Sequence, residues 1–242
     1  SLYIWYSFYK TEDERVNVKV VSYNIKFSSF IFDDDILKVV KHLDADILCF
    51  QEFPLAKFRQ WRMLLEKKGY RDSLYQKTCE TLLGISQSNV IFSRFPLEDK
   101  HSVNLTYKDH EPRKAQYCLV DIGDEQIFLL HTHLGLRRQE RLFQMNKIVR
   151  ILDNHRDVDR MILLGDFNDW NNAGQSKLGG VFKEAHHTLH GRSAKTFPAR
   201  VPLVRLDRIY YRNLTPISCK AMKGRFIRKK SDHLPLKASF AF

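Results

Sequence analysis

The chain has 242 residues, of which 43% are hydrophobic and 12% aromatic, enough for a sizeable core. Ten glycines and seven prolines exclude collagen-like and low-complexity architectures. Forty Lys and Arg against 28 Asp and Glu leave a formal charge of +12, which speaks to partners and points to a polyanion: nucleic acid, an anionic membrane face or a phosphorylated substrate.

Residues 1–15 read as an N-terminal tail. The stretch from Leu2 to Tyr6 is apolar and aromatic, and the chain starts at Ser1. It is either a first strand or loose tail, or the trimmed end of an upstream signal or anchor, in which case the protein is exported or membrane-anchored. No stretch reaches the length of a membrane span.

From residue 16 onward the patterns read as one domain, 16–242. Val16, Val18 and Val20 alternate with Asn17 and Lys19, a half-buried strand ending near Asn24. Asp33-Asp34-Asp35 precede Ile36, Leu37, Val39, Val40 and Leu43, which makes them the acidic first turn of a helix rather than a metal-binding triplet. Ile47 to Phe50 is a buried strand ended by Gln51-Glu52 and Pro54. Phe58, Trp61 and Leu65 are spaced for a helix over Leu55 to Lys68, closed by Gly69, with Trp61 in the core. Asn89 to Phe92, Ala115 to Ile122 and Gln126 to His133 are strands, the last two joined by a Gly123-Asp124 turn. Arg137 to Leu152 is an amphipathic helix, and Met161 to Leu164 a buried strand running into Gly165-Asp166-Phe167-Asn168. Leu206 to Tyr211 and Leu234 to Phe240 close the chain as strands. This mixture predicts a layered α/β domain with mixed sheets and no internal boundary.

Twelve basic residues and one acidic residue, Asp207, lie between Arg192 and Lys230, so the positive charge is concentrated there and favours a binding face. Cys49, Cys79, Cys118 and Cys219 show no CxxC spacing, and Cys49 and Cys118 fall in apolar runs that predict free buried thiols. His186, His187 and His190 lack a thiol or carboxylate partner and read as a surface loop cluster rather than a zinc site.

Several predicted strands end in polar side chains: Asn24, Glu52, His133, Asp166, Asn168, Asp207, Asp232 and His233. Such ends line clefts in layered α/β folds. Carboxylates and carboxamides without clustered cysteines suit a hard cation such as Mg²⁺.

The stretches Val20-Val21-Ser22-Tyr23-Asn24, Asp46-Ile47-Leu48-Cys49-Phe50-Gln51-Glu52 and Ser88-Asn89-Val90-Ile91-Phe92-Ser93-Arg94-Phe95-Pro96 occur in order. His131-Thr132-His133-Leu134, Leu164-Gly165-Asp166-Phe167-Asn168-Asp169, Leu206-Asp207-Arg208-Ile209 and Ser231-Asp232-His233-Leu234-Pro235 follow. Together, over residues 16–242, they resemble the DNase I-like endonuclease/exonuclease/phosphatase superfamily. The resemblance implies a four-layer α/β sandwich, two mixed sheets flanked by helices, with the active site between the tops of the sheets.

It also implies roles. Glu52 is the principal metal carboxylate, Asn24 lies beside it, and Asp232 is a further metal-side carboxylate. Asp166 and Asn168 place or activate the attacking water. His233 contacts a phosphate oxygen and Asp207 orients its ring, while His133 is a second histidine at the phosphate. Arg113 resembles the arginine that the DNase branch aims at phosphate. Protonated histidines and that arginine are expected to supply positive charge where it develops. Arg225, Arg228, Lys229 and Lys230 are expected to bind substrate phosphates. His131 reads as a packed neighbour of His133, and Trp170 is placed either to stack on a base or to line the cleft rim.

Two departures bear on substrate. Tyr23-Asn24-Ile25-Lys26 lacks the acidic residue that abasic-site enzymes carry two positions after the Asn, and Val204-Arg205-Leu206-Asp207-Arg208 lacks the aromatic-rich stretch of inositol phosphatases. Thr196-Phe197-Pro198 resembles stretches in bacterial-type members. The resulting expectation is a Mg²⁺-dependent (or Mn²⁺-dependent) phosphodiester hydrolase, a nuclease acting on DNA, monomeric by default. The rivals are a phospholipid or inositol-phosphate phosphoesterase at an anionic membrane, and a non-catalytic polyanion-binding module.

Overall fold

A computed structural model describes residues 17–26, 33–80, 86–170 and 175–242. The tail of residues 1–15, with its apolar stretch, lies outside the described residues. Two six-stranded sheets face one another. The first holds, in spatial order, β11 (Thr215–Ala221), β12 (Leu236–Ala241), β1 (Asn17–Asn24), β2 (Ile47–Pro54), β4 (Ser86–Ser93) and β3 (Asp72–Glu80). The second holds β5 (Leu97–Asn104), β6 (Lys114–Asp121), β7 (Gln126–His133), β8 (Met161–Asp166), β10 (Asp207–Arg212) and β9 (Lys183–Glu184).

Each sheet contains one parallel pair among antiparallel neighbours. β1 runs parallel to β2, and β7 to β8. A parallel pair needs a crossover, and helices supply both: α1 (Asp33–Leu43) between β1 and β2, and α3 (Arg138–Asn154) between β7 and β8. The alternation of side chains along each strand then sorts the apolar residues into three cores. Val18, Val20, Ile47, Cys49, Leu129, Ile162, Leu164, Ile209 and Ala238 fill the space between the sheets. Ile36, Val39 and Leu43 of α1, with Phe58, Trp61 and Leu65 of α2 (Phe58–Glu66), cover the outer face of the first sheet. Met145, Ile148 and Leu152 of α3 cover the second. The result is the expected four-layer sandwich. Trp61 is fully buried, edge-on to Phe53 at 4.8 Å and 88°.

Several elements extend or correct the sequence reading. β3, β5 and β11 carry little apolar alternation and were not expected; β5, for instance, buries only Leu97 fully. Leu55–Lys57 forms a 3₁₀ turn ahead of α2. The histidines expected in a loop sit on a short helix, α4 (Ala185–His190). There the His186 and His190 rings lie 4.4 Å apart, and each places a ring nitrogen on a backbone carbonyl, of Arg192 and Cys219. Cys49, Cys118 and Cys219 are free and buried. Among the described residues no helix is long and apolar enough to cross a membrane.

Candidate active site

The inter-sheet faces change character along their length. Below, they are aliphatic. One step from the top they carry Ser22, Gln51, Gln116 and His131, all fully buried. The Gln51 side-chain nitrogen donates to Ser22 Oγ at 3.1 Å and lies 2.6 Å from His131 Nε2. Burial pushes His131 down to about 3, so it is a neutral packing group, as expected. At the top, the carboxyl ends of the two parallel pairs bring Asn24, Glu52, His133 and Asp166 together. This is where layered α/β sheets open a crevice.

Local backbone devices aim these side chains. The pairing of β2 with β4 shifts register between Phe50 and Phe53, and Glu52 takes φ 53° within that irregularity. Asn168 takes φ 47°. Non-glycine residues in the left-handed region are uncommon and gather where surrounding structure over-determines them. Gly165, with φ 152°, lets β8 close on β7: a Cβ there would stand 1.9 Å from the Thr132 carbonyl oxygen. That approach sets His133 opposite Asp166 in the ladder.

Asn24 links the two sheets. Its Nδ2 donates to Glu52 Oε1 at 3.0 Å and to Asp166 Oδ2 at 3.2 Å, and its Oδ1 accepts the Lys26 N–H at 3.0 Å. Lys26 Nζ pairs with Asp232 at 2.9 Å and also feels the Glu52 charge. Asp166 lies between two histidines, 3.5 Å from His133 Nε2 and 3.7 Å from His233 Nε2. Its Oδ1 accepts the Asn168 N–H at 3.0 Å. Asn168 donates its Nδ2 to the Leu134 carbonyl at 2.8 Å, leaving its Oδ1 for another donor. His233 Nδ1 meets Asp207 Oδ2 at 3.0 Å, and Asp207 Oδ1 is buried with no hydrogen-bond partner among the described residues.

Electrostatics separate the two histidines. Burial works against a charged ring at His233, but Asp207 and Asp166 outweigh it and push its pKa up to about 10. Burial, with the neighbouring charges of Arg113 and His233, holds His133 well below its usual value. The expectation of two protonated histidines is therefore corrected: His233 carries the charge and His133 is neutral. Burial pushes the Asp166 carboxyl up to about 6, with Asp207 adding to the rise and His233 opposing it.

All eight strand-end residues meet at this one end of the sandwich. Arg113 joins them: it is 5% exposed, its charge acts on His133, and it pairs with Glu111 at 2.9 Å while its Nε stays unpartnered. Lys230 does not join. It is held in an ion pair with Asp35 of α1, which removes it from the expected phosphate-binding set. Arg225, Arg228 and Lys229 line one hollow with Arg200 and Lys223, and none of the strand-end residues lines it. Trp170 is 53% exposed and edge-on to Phe197 at 6.5 Å, and Phe197 packs on His233 at 5.0 Å. Sequence reasoning missed Phe197, Ser231 and Lys26 as working parts. Ser231 Oγ donates to the Asn24 carbonyl at 2.7 Å and accepts the His233 N–H at 3.1 Å, pinning the closing loop to β1. The signal was present, since Ser231 directly precedes Asp232-His233.

Asp166, Asp207 and His233 offer ligand atoms within 4.8 Å of one another. The imidazolium already bridges those two carboxylates, so a second cation there would meet its charge. The donor set of Glu52, Asp232 and Asn24 is better suited to a hard cation, being all oxygen and amide and already attracting the Lys26 ammonium.

Solved structures share this architecture. The human nocturnin catalytic domain, with bound sulfate, superposes with a TM-score of 0.76 at 21% identity, covering 94% of this chain and 95% of that one. A mannosyl-6-phosphatase from Bacteroides thetaiotaomicron gives 0.73 at 18% identity, covering 93% of this chain and 100% of its own. In sequence, the chain is 28% identical to the uncharacterized protein YbhP of Escherichia coli K12 over 94% of its length and 97% of YbhP. Residues 21–233 match the sequence model of the Endonuclease/Exonuclease/phosphatase family, whose members are hydrolytic phosphoesterases, and the chain belongs to that family.

Proposed function

We propose that the protein is a divalent-metal-dependent phosphodiesterase that cleaves DNA. The observation that carries this reading is Asp166, a buried carboxylate with a pKa near neutrality, set between one neutral and one charged histidine. A group with a pKa near the working pH is suited to take a proton from water. Asp166 accepts that proton as the water oxygen attacks phosphorus, and the bond from phosphorus to the leaving oxygen breaks. His233 and Arg113 offset charge on the non-bridging oxygens, as preorganised donors do. His133, neutral, donates one hydrogen bond. Glu52, Asn24 and Asp232 would hold Mg²⁺ or Mn²⁺, which when bound polarises the phosphoryl group and offsets charge on the leaving oxygen.

DNA is favoured by the cationic hollow beside the site and by the exposed Trp170, which offers a face for a base. A second reading, a phospholipid or inositol-phosphate ester at an anionic membrane, is supported by Val201 and Leu203, 63% and 61% exposed beside Arg200. The test is a panel of supercoiled plasmid, single-stranded DNA, RNA, phospholipid and inositol phosphates, each with Mg²⁺ or excess chelator. Metal-dependent nicking of plasmid is the expected result. Hydrolysis confined to the lipids or inositol phosphates, or full activity in chelator, contradicts the reading.

A further inference from the structure

We propose that Arg200, Lys223, Arg225, Arg228 and Lys229 form a second phosphate subsite, holding a nucleic-acid phosphate that flanks the scissile one. It rests on the nuclease reading and gives that reading its substrate track.

These five side chains, with Gly224, line a hollow of about 480 Å³. Among the described residues, no carboxylate lines it. Four other surface hollows each carry at least one: Asp44 in one, Glu140 in the next, then Asp153 and Asp169. Several cations elsewhere do have anion partners. Lys19 and Lys237 share Asp44, Lys100 meets Asp72, and Arg160 meets Glu125. Even Lys230, next in sequence to Lys229, is neutralised by Asp35. Among the described residues none of the five has an ion-pair partner. Arg228 Nε is buried with no hydrogen bond. Like charges gathered without a counter-charge repel, and an anion seated among them would relieve that repulsion.

The hollow adjoins the catalytic end through both of its chain segments. Arg200 follows Ala199, whose N–H donates to the Asp232 carbonyl at 2.6 Å. Lys229 ends the 3₁₀ turn Ile227–Lys229, two residues before Ser231, which is pinned to Asn24. Three residues span at most about 11 Å of chain between Lys229 and Asp232. A ligand seated in the hollow therefore lies beside the scissile position rather than on a remote face. Concavity favours a strand over a membrane: successive phosphates can enter a hollow that a bilayer surface bridges.

The test uses His233→Ala protein in excess chelator, so that cleavage is suppressed, and reads binding of a labelled DNA duplex by fluorescence anisotropy across a salt series. Arg225→Gln with Lys229→Gln is compared with Arg59→Gln with Arg62→Gln, which removes the same charge from exposed positions on α2. The hollow pair is expected to weaken binding more than about tenfold at 0.1 M salt and to flatten the slope of log K against log salt by about 2, one unit per lost phosphate contact. The α2 pair is expected to leave the slope unchanged. An unchanged slope in the hollow pair, or equal changes in both pairs, overturns the subsite. Loss of binding to anionic phosphatidylserine vesicles with DNA binding intact also overturns it, and assigns the cations to a membrane. Should the hollow pair flatten the slope while wild-type protein cuts no DNA, the subsite stands and the nuclease reading falls.

Discussion

The two sheets contribute unlike halves to one site. The first sheet brings Glu52 at the end of β2 and, on the closing loop, Asp232. Both are partly open to water, the Asp232 side chain 38% exposed, and Lys26 stands beside them. The second sheet brings Asp166 and Asp207, 1% and 0% exposed, with His133 and the loop-borne His233 beside them. Groups near water exchange partners readily. In the second half, burial raises the Asp166 carboxyl and lowers His133, while Asp207 and Asp166 raise His233 against burial. On the proposed mechanism, the first half would hold the cation and the second would set the protonation states of a base and an acid around a phosphate. Asn24 touches both.

The largest break in this comparison should come from Gly165→Ala. The new methyl would overlap the Thr132 carbonyl, a backbone atom that cannot swing aside, and force the β7–β8 pair apart. A loss of several kcal/mol is expected, in the exceptional range for one substitution. Thermal unfolding checks it, and a melting temperature like wild type would show that the close approach is not required.

His233→Ala is next. Removing the charged group at the phosphate should lower kcat by about 10²–10³ or more, with apparent metal affinity unchanged because the cation belongs to the other half. Steady-state rates over a Mg²⁺ series separate the two. A variant that keeps its rate but needs more metal would merge the halves.

Asp207→Asn is milder and sharper. His233 is raised because Asp207 and Asp166 overcome burial. With the Asp207 charge gone, burial gains ground and the pKa falls. The charged ring is then lost as pH rises through the new, lower value, so kcat should begin to fall at a pH below the wild-type fall at about 10. At pH 6 the variant should come within about tenfold of wild type. A rate loss equal at every pH would mean that Asp207 only positions the ring.

Much of this was legible because the chemistry sits at strand ends. Asn24, His133 and Asp166 end apolar runs, and the two-residue step from Asp166 to Asn168 sends both side chains to one face. Three things were not legible. Edge strands such as β5 meet solvent on most of their length, so they have no hydrophobic period to read. Pairings across the chain, such as Lys26 with Asp232 and Lys230 with Asp35, join residues about two hundred positions apart, and local pattern carries no trace of them. Charge state depends on burial and neighbours, which is why His133 was read as charged and is neutral.

The division of labour is tested most directly by isothermal titration of Mg²⁺ into wild type, Glu52→Gln and Asp207→Asn. Glu52→Gln removes one ligand charge and is expected to weaken Mg²⁺ binding by roughly tenfold or more, since affinity follows ligand charge. Asp207→Asn is expected to bind as wild type does. The reverse, with Asp207→Asn losing the metal and Glu52→Gln keeping it, would place the cation in the buried Asp166–Asp207–His233 cluster and contradict the account.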